Sequence, residues 1–206
     1  VDVDFQRMME RARKIYLDDR EHMKEGLDES PNIDFFNDTC RFVSDYTIEV
    51  SGKEIKADKI FLFSGARPLV APIKGIDEVD YLTNRNIFEL DKKPESLIII
   101  GGGYIASEFA HFFSAVGTDV TVMARSGILS DHDPEISDLL EKEFSSRLDL
   151  KTNCEAVEVG EKNGEKYVVG EDTQSGDKIE VSGESLLVAI GRRSNADLLE
   201  VENTGV

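Results

Sequence analysis

The chain has 206 residues, 40% of them hydrophobic, and 42 acidic against 24 basic side chains give it a net charge of −18. That balance excludes nucleic acid as a partner, because two polyanions repel, and any anionic cofactor must be held by local positive charge against the overall field. No apolar run approaches the length of a membrane span, the acidic, amphipathic N-terminus is unlike a signal peptide, and two widely separated cysteines, Cys40 and Cys154, fit a reducing, cytoplasmic setting.

From the N-terminus, Phe5, Met8, Met9, Ala12, Ile15 and Tyr16 share one face of a helix expected over residues 4–25, with Asp2 or Asp4 as N-cap and Gly26 as C-cap. It reads as a packing helix whose methionines fill the core. Residues 33–63 change to short strands, with a hairpin turning at Gly52-Lys53 and leading into a buried strand at Ile60–Phe63. Pro68 and Pro72 interrupt regular structure up to Gly75. A short helix is expected around Asn84–Glu89, and a domain boundary follows, with residues 1–88 in one domain and 89–206 in the next. His22, His111 and His132 show no ligand spacing, and no metal site is expected. There are no internal repeats and no low-complexity segments.

The chain is organised around LIIIGGGYIASEFAHFFSAVGTDVTVMAR, residues 97–125. Leu97–Ile100 reads as a buried parallel strand ending in three glycines. Ile105, Phe109, Phe112, Phe113 and Val116 then follow a helical period capped by Gly117, and a second apolar strand runs Val120–Met123. The spacing Gly101-x-Gly103-x-x-Ala106 sits in the strand–turn–helix–strand context that lifts a glycine motif above chance. Gly101 permits the tight turn, Gly103 lets a pyrophosphate approach the backbone, and Ala106 keeps helix and sheet close. The helix N-terminus then offers free N–H groups and partial positive charge to an anion. The alternative is a glycine-rich turn in some other α/β protein.

Beyond this unit, Asp133-Pro134 starts a helix carrying Ile136, Leu139, Leu140 and Phe144, and Leu148–Lys151 fits a third parallel strand. Residues 156–182 alternate apolar and polar with turns at Asn163-Gly164 and Ser175-Gly176, an antiparallel meander. Leu186–Ile190 is a further buried strand, ending at Gly191. The expected class is α/β: a Rossmann-like dinucleotide-binding domain with a parallel sheet and an antiparallel meander.

Three motifs in order resemble the pyridine nucleotide–disulfide oxidoreductases, among them dihydrolipoamide dehydrogenases, glutathione reductases and mercuric reductases. DKIFLFSGARP is similar to the strand and turn that return to the flavin, with Phe63-Ser64-Gly65 where Ala-Thr-Gly is usual. GGGYIASEFAHFFSAVG is similar to the nicotinamide-cofactor helix. LLVAIGRRSNADLLEVENTGV is similar to the segment written Gly-Arg-x-Pro-Asn, with Ser194 in place of the proline. The flavin glycine motif, redox Cys-x4-Cys and C-terminal His–Glu pair of the family are absent, and the chain opens at Val1 without methionine. The resemblance therefore implies an internal fragment, a Rossmann-like NAD(P)-binding domain plus part of a split FAD-binding domain, inactive by itself and without stoichiometric FAD, of a parent that is a homodimer.

The resemblance implies cofactor-binding roles and, within this chain, no catalytic residue. Gly101, Gly103 and Ala106 would line the pyrophosphate, and Ile105 among them counts as cofactor-binding. Tyr104 would gate the nicotinamide pocket, the alternative being a packing residue at the helix start. Glu108 matches a carboxylate that pairs with a lysine near the flavin, the alternative being a solvated helix glutamate. Gly191 would lie near the nicotinamide, Arg192 is as readily plain surface charge, and Gly65 would approach flavin. The place where NAD-selecting proteins carry a ribose-binding carboxylate is Ala124, and Arg125 follows, as in NADP-using relatives. NADP is therefore expected over NAD, with FAD in the full-length protein. The function implied is the cofactor-binding portion of a flavin-dependent disulfide or mercuric reductase, in which NADPH delivers hydride to FAD. VTVMARS most resembles mercuric reductases, then dihydrolipoamide dehydrogenases. The alternative is a free-standing dinucleotide-binding or redox-sensing module.

Overall fold

A computed structural model describes residues 3–205, so Asp2, one of the two caps considered for the first helix, lies outside the described residues. Asp4 serves: its carboxylate accepts from the Arg7 N–H at 3.0 Å, and helix α1 runs Phe5–Asp28. It passes through Gly26, where it was expected to stop. Glycine weakens a helix without forbidding it, and the Lys24–Asp28 ion pair bridges the turn concerned. Only Phe5 and Met9 of α1 are buried, while Met8, Ile15 and Tyr16 stay exposed. The packing role therefore belongs to the first turns alone.

Strands β1 (Cys40–Ser44), β2 (Thr47–Val50) and β3 (Lys53–Lys56) form an antiparallel sheet in that order, turning at Ser51-Gly52 between β2 and β3. Residues 60–63 correct the expected buried strand. They are irregular, with Phe61 75% and Phe63 91% exposed and the two rings stacked at 6.4 Å. An apolar run becomes a buried strand only where neighbours cover it, and none of the described strands pairs with this one. Strand β4 (Ala66–Pro68) follows, and single 3₁₀ turns occupy Ile76–Glu78 and Ile87–Glu89, the latter in place of the short helix expected from Asn84.

Next come β5 (Ser96–Ile100), α2 (Tyr104–Ala115), β6 (Asp119–Met123), α3 (Pro134–Ser145) and β7 (Asp149–Lys151). The meander is β8 (Cys154–Lys162), β9 (Glu165–Asp172) and β10 (Lys178–Gly183), and β11 (Ser185–Val188) and β12 (Arg192–Ser194) complete the strands. The parallel sheet has the order β11-β5-β6-β7, with Leu97 opposite Val120 and Ser185.

Parity along β5 sorts the core into two layers. Leu97 and Ile99 face a cluster with Ala106, Ala110 and Phe113 of α2, Phe144 of α3 and Phe5 and Met9 of α1. Ile98 and Ile100 face Val159 and Val168 of the meander with Ile73 and Ile76. Helices, sheet and meander thus make three layers. α2 ends in paired backbone bonds: Gly117, in the left-handed region at φ +86°, donates to Ser114, and Thr118 donates to Phe113.

By contacts the chain divides into two units, one of residues 1–13 and 68–191, the other of residues 14–67 and 192–206. The division therefore does not fall once, at residue 88. Residues 70–88 pack with the parallel sheet because Leu82 donates to Leu186 and accepts from Val188, while Ile76 and Ile87 are fully covered. In the second unit β1–β3 form one sheet and β4 pairs with β12.

The cluster around Phe113, which is 0% exposed, meets Phe5, Phe109 and Phe112 at ring separations of 5.1–6.4 Å. Phe113→Ala should lower unfolding free energy by about 3–5 kcal/mol in urea titrations. Leu139→Ala, at a site the sequence pattern placed with the core but which is exposed, should change it by less than about 0.5 kcal/mol.

Candidate functional site

Strand β5 is the switch point of the parallel sheet: the chain goes on to β6 and β7 on one side and returns to β11 on the other. In open α/β sheets ligands bind outside the carboxyl ends of the strands at such a point. Here that place is formed by Gly101-Gly102-Gly103. The Gly101 N–H continues the ladder by donating to Met123 at 2.9 Å, and its φ of +129° turns the chain away. A Cβ on Gly101 would lie 2.3 Å from the Ala189 carbonyl oxygen, so only glycine lets β5 and the end of β11 meet.

Gly103 differs. Its backbone is extended at φ −81°, and a Cβ there would meet no atom within 4 Å. It begins α2 without a side-chain cap, and its carbonyl accepts from both the N–H and the Oγ of Ser107, at 3.0 and 3.1 Å. Ala106 is fully buried against the sheet and Ile105 half-buried, while Tyr104 and Glu108 point outward. Tyr104 at 49% exposed is not a core residue.

At the end of β6 the two residues singled out in sequence part company. Ala124 is 1% exposed, donates to the Lys151 carbonyl and accepts from Cys154, so its side chain belongs to the core. Arg125 is 74% exposed, with Nη1 4.0 Å from Oε1 of Glu155 at the start of β8. Glu155 was missed because the pairing joins the parallel sheet to the meander, a register no local pattern encodes. Asp133 is engaged as the N-cap of α3, accepting from the Glu135 N–H at 2.9 Å. Between them, Leu129 at φ +51° donates to the Gly102 carbonyl at 2.7 Å.

Gly191 is exposed at φ +150°, its carbonyl accepting from Leu69. In the other unit, Gly65 accepts from the Asn195 N–H, and the Asn195 amide donates to the Ser64 carbonyl at 2.8 Å. Arg67 forks onto both oxygens of Asp197 at 2.7 and 2.8 Å, and Arg193 reaches Asp197 at 2.8 Å. Two motifs distant in sequence therefore meet, and Ser194 replaces the usual proline while still accepting from Arg67 through its carbonyl. Arg192 is exposed. Among the described residues no group of His, Cys, Asp or Glu side chains could hold a metal, and no helix is long and apolar enough to cross a membrane. Cys154 is buried, which pushes its thiol up from the ordinary range.

The family profile of pyridine nucleotide-disulphide oxidoreductases matches residues 6–206. The chain belongs to that family. It is 35% identical over 182 residues to a mercuric reductase of Staphylococcus aureus, covering 87% of this chain and 33% of the relative. A mycothione reductase of Mycobacterium tuberculosis is 34% identical over 184 residues, covering 86% of this chain and 39% of that protein. A glutathione reductase of Burkholderia cepacia is 31% identical over 188 residues, with 90% and 40% covered. The solved HOCl-induced flavoprotein disulfide reductase RclA from Escherichia coli superposes with a TM-score of 0.88 at 27% identity, over 100% of this chain and 47% of that one. The chain thus spans less than half the length of the relatives it matches. These relatives are oxidoreductases, and family membership implies FAD and a nicotinamide dinucleotide as cofactors.

The Arg67 fork and Arg193 hold the Asp197 carboxyl down at about 2, below its ordinary 3.8. A depressed carboxylate supports the fold fully above its unfolded pKa and loses that support as pH falls through its folded value. Carboxyl-carbon NMR should therefore place the Asp197 midpoint near 2, and Arg67→Ala should return it towards 3.8. The loosened 192–197 segment should then show faster amide exchange at Asn195 above pH 4, roughly where the free carboxyl ionises.

Proposed function

We propose that this chain carries the nicotinamide-cofactor site of an NADPH-dependent flavoprotein that reduces mercuric ion or a disulfide, together with one stretch of its flavin-binding part. The observation that carries the reading is the Gly101–Gly103 turn at the switch point of the sheet. Gly101 is glycine because the chain's own backbone demands it. Gly103 is not so constrained: neither its φ nor any neighbouring atom requires the missing side chain. A ligand backbone that must come close supplies the reason.

The residues present fit a dinucleotide. The N–H groups at the start of α2, on Tyr104, Ile105 and Ala106, open the helix with no side chain capping them, which suits a pyrophosphate. Tyr104 is exposed where it can cover a nicotinamide ring, and Gly191 presents backbone at the end of the segment after β11. Glu108 would face the flavin side. The Gly65 turn, open around its missing Cβ and steadied by Asn195, fits the approach of a flavin. When bound, NADPH supplies a hydride that FAD accepts. The chain's own residues orient the donor and hold its phosphates. The whole protein is proposed to be a cytoplasmic homodimer.

Preference for NADPH over NADH rests on Arg125. A carboxylate at position 124 is the usual reader of the ribose 2′-hydroxyl, but that side chain is buried. Arg125 is exposed, and its guanidinium is the donor proposed for a 2′-phosphate. Each charge-assisted bond contributes about 1.5–3 kcal/mol, or roughly ten- to a hundredfold in affinity. Glu155 competes for the same guanidinium.

In fluorescence titrations the parent should bind NADPH more tightly than NADH, and Arg125→Ala should remove roughly ten- to a hundredfold of that ratio. Glu155→Gln should raise NADPH affinity by roughly two- to fivefold, the scale of an exposed ion pair, and leave NADH nearly unchanged. Equal affinities in the parent, or a ratio untouched in Arg125→Ala, would remove Arg125 from the site.

A further inference from the structure

The glycine turn does not stand alone; it is tied to helix α3 by a chain of short hydrogen bonds. Ser137, one turn into α3, donates its Oγ–H to the Leu129 carbonyl at 2.6 Å, and that hydroxyl is half-buried. The Leu129 N–H in turn donates to the Gly102 carbonyl at 2.7 Å. Leu129 is held in the left-handed region at φ +51°, where a branched side chain costs energy unless its surroundings impose it. One turn further along α3, Glu141 accepts from the Ile128 N–H at 3.4 Å. The middle peptide of the glycine turn is therefore gripped from one side by the Gly101–Ala189 contact and from the other by Leu129.

We propose that Ser137 is a positioning residue of the dinucleotide site, setting the Gly102–Gly103 peptide, and with it the first N–H groups of α2, through Leu129. The inference rests on the dinucleotide reading above. Ser137 acts at the pyrophosphate end, which NADPH and NADH share, whereas Arg125 acts at the 2′ position, where they differ. Loss of the Ser137 hydroxyl must then weaken both cofactors alike.

The test is binding of NADPH and NADH to the full chain carrying Ser137→Ala, Ser137→Cys or Ser137→Thr, with amide exchange at Leu129 followed alongside. Ser137→Ala should weaken both cofactors by roughly three- to tenfold and leave their ratio unchanged, the scale of one lost hydrogen bond. Ser137→Cys, nearly isosteric with a weak S–H donor, should fall between, and Ser137→Thr, which keeps the hydroxyl, should restore parent affinity. Exchange at Leu129 should quicken in the same order. Should the alanine variant fail to fold, the cysteine and threonine variants carry the comparison. Parent-like affinities in the alanine and cysteine variants, or a loss confined to NADPH, overturn the proposal. A parent that binds neither cofactor overturns the dinucleotide reading, and this inference with it, whereas a parent that binds while the variants match it overturns only the role of Ser137.

Discussion

Strand β5 is buried on both faces and flanked on both edges, and it must still end within hydrogen-bonding distance of two neighbours. Ile98 and Ile100 press on the meander layer while Leu97 and Ile99 press on the helices. At its carboxyl end the Ile100 carbonyl accepts from Ala189 and the Gly101 N–H donates to Met123. The next Cα then passes so close to the Ala189 carbonyl that any side chain would collide. Nearly everything about the candidate site follows from that crowding. The chain can leave the sheet only by turning sharply, and the turn sends α2 back over β5 and β6 with its amino end at the carboxyl end of β5.

Around this scaffold the electrostatics oppose one another. A chain with a net charge of −18 repels a dinucleotide phosphate at long range. At physiological salt that repulsion fades beyond about 8 Å, so the outcome is set by groups within reach of the phosphates. Arg125 is the cation at the end of β6, and Glu155 beside it weakens its pull without neutralising it, because both side chains are largely solvated and the pair is long at 4.0 Å. The carboxylate of Asp133 is occupied by the Glu135 N–H. The preference for NADPH proposed above would on these grounds be moderate and salt-sensitive.

The parts legible in sequence share a local cause. The alternation in β5, the Gly101-x-Gly103-x-x-Ala106 spacing, the helix pattern through Phe113 and the Asn163-Gly164 hairpin each record a constraint acting within a few residues. The three-layer order follows from them. What escaped has its cause elsewhere in the chain. Residues 60–63 look like a core strand, yet Phe61 and Phe63 are exposed, since burial depends on a partner that the pattern cannot specify. Met8 shares the stripe of Met9 on α1, but only the latter reaches the core. Ile136 and Leu139 of α3 likewise belong to the apolar period and lie outside, with Phe144 alone fully buried. Arg67 and Asp197 are 130 positions apart, and Arg125 follows β6 of the parallel sheet whereas Glu155 lies in β8 of the meander, so their pairings exist only once the topology does. Leu129 carries no signal at all: its left-handed backbone is imposed by bonds at both of its ends.

Helix α2 is finished unequally, and its unanswered end is the one proposed to meet the dinucleotide. At its carboxyl end the left-handed Gly117 and Thr118 return bonds to Ser114 and Phe113, the Thr118 hydroxyl is anchored on the Pro94 carbonyl, and the Lys93 ammonium donates to the Gly117 carbonyl at 2.8 Å. The negative end of the helix dipole thus has both its carbonyls and its charge answered. The amino end has no side-chain cap, and no acidic residue lies in its first turn. A Ser, Asp or Asn at position 103 would accept from one of those N–H groups and stabilise the helix by about a few tenths of a kcal/mol over glycine. Glycine leaves them unanswered, although neither strain nor crowding asks for glycine there. An anion arriving there would meet unanswered N–H groups, and the firm carboxyl end, with Phe113 locked in its aromatic cluster, keeps the open end in place.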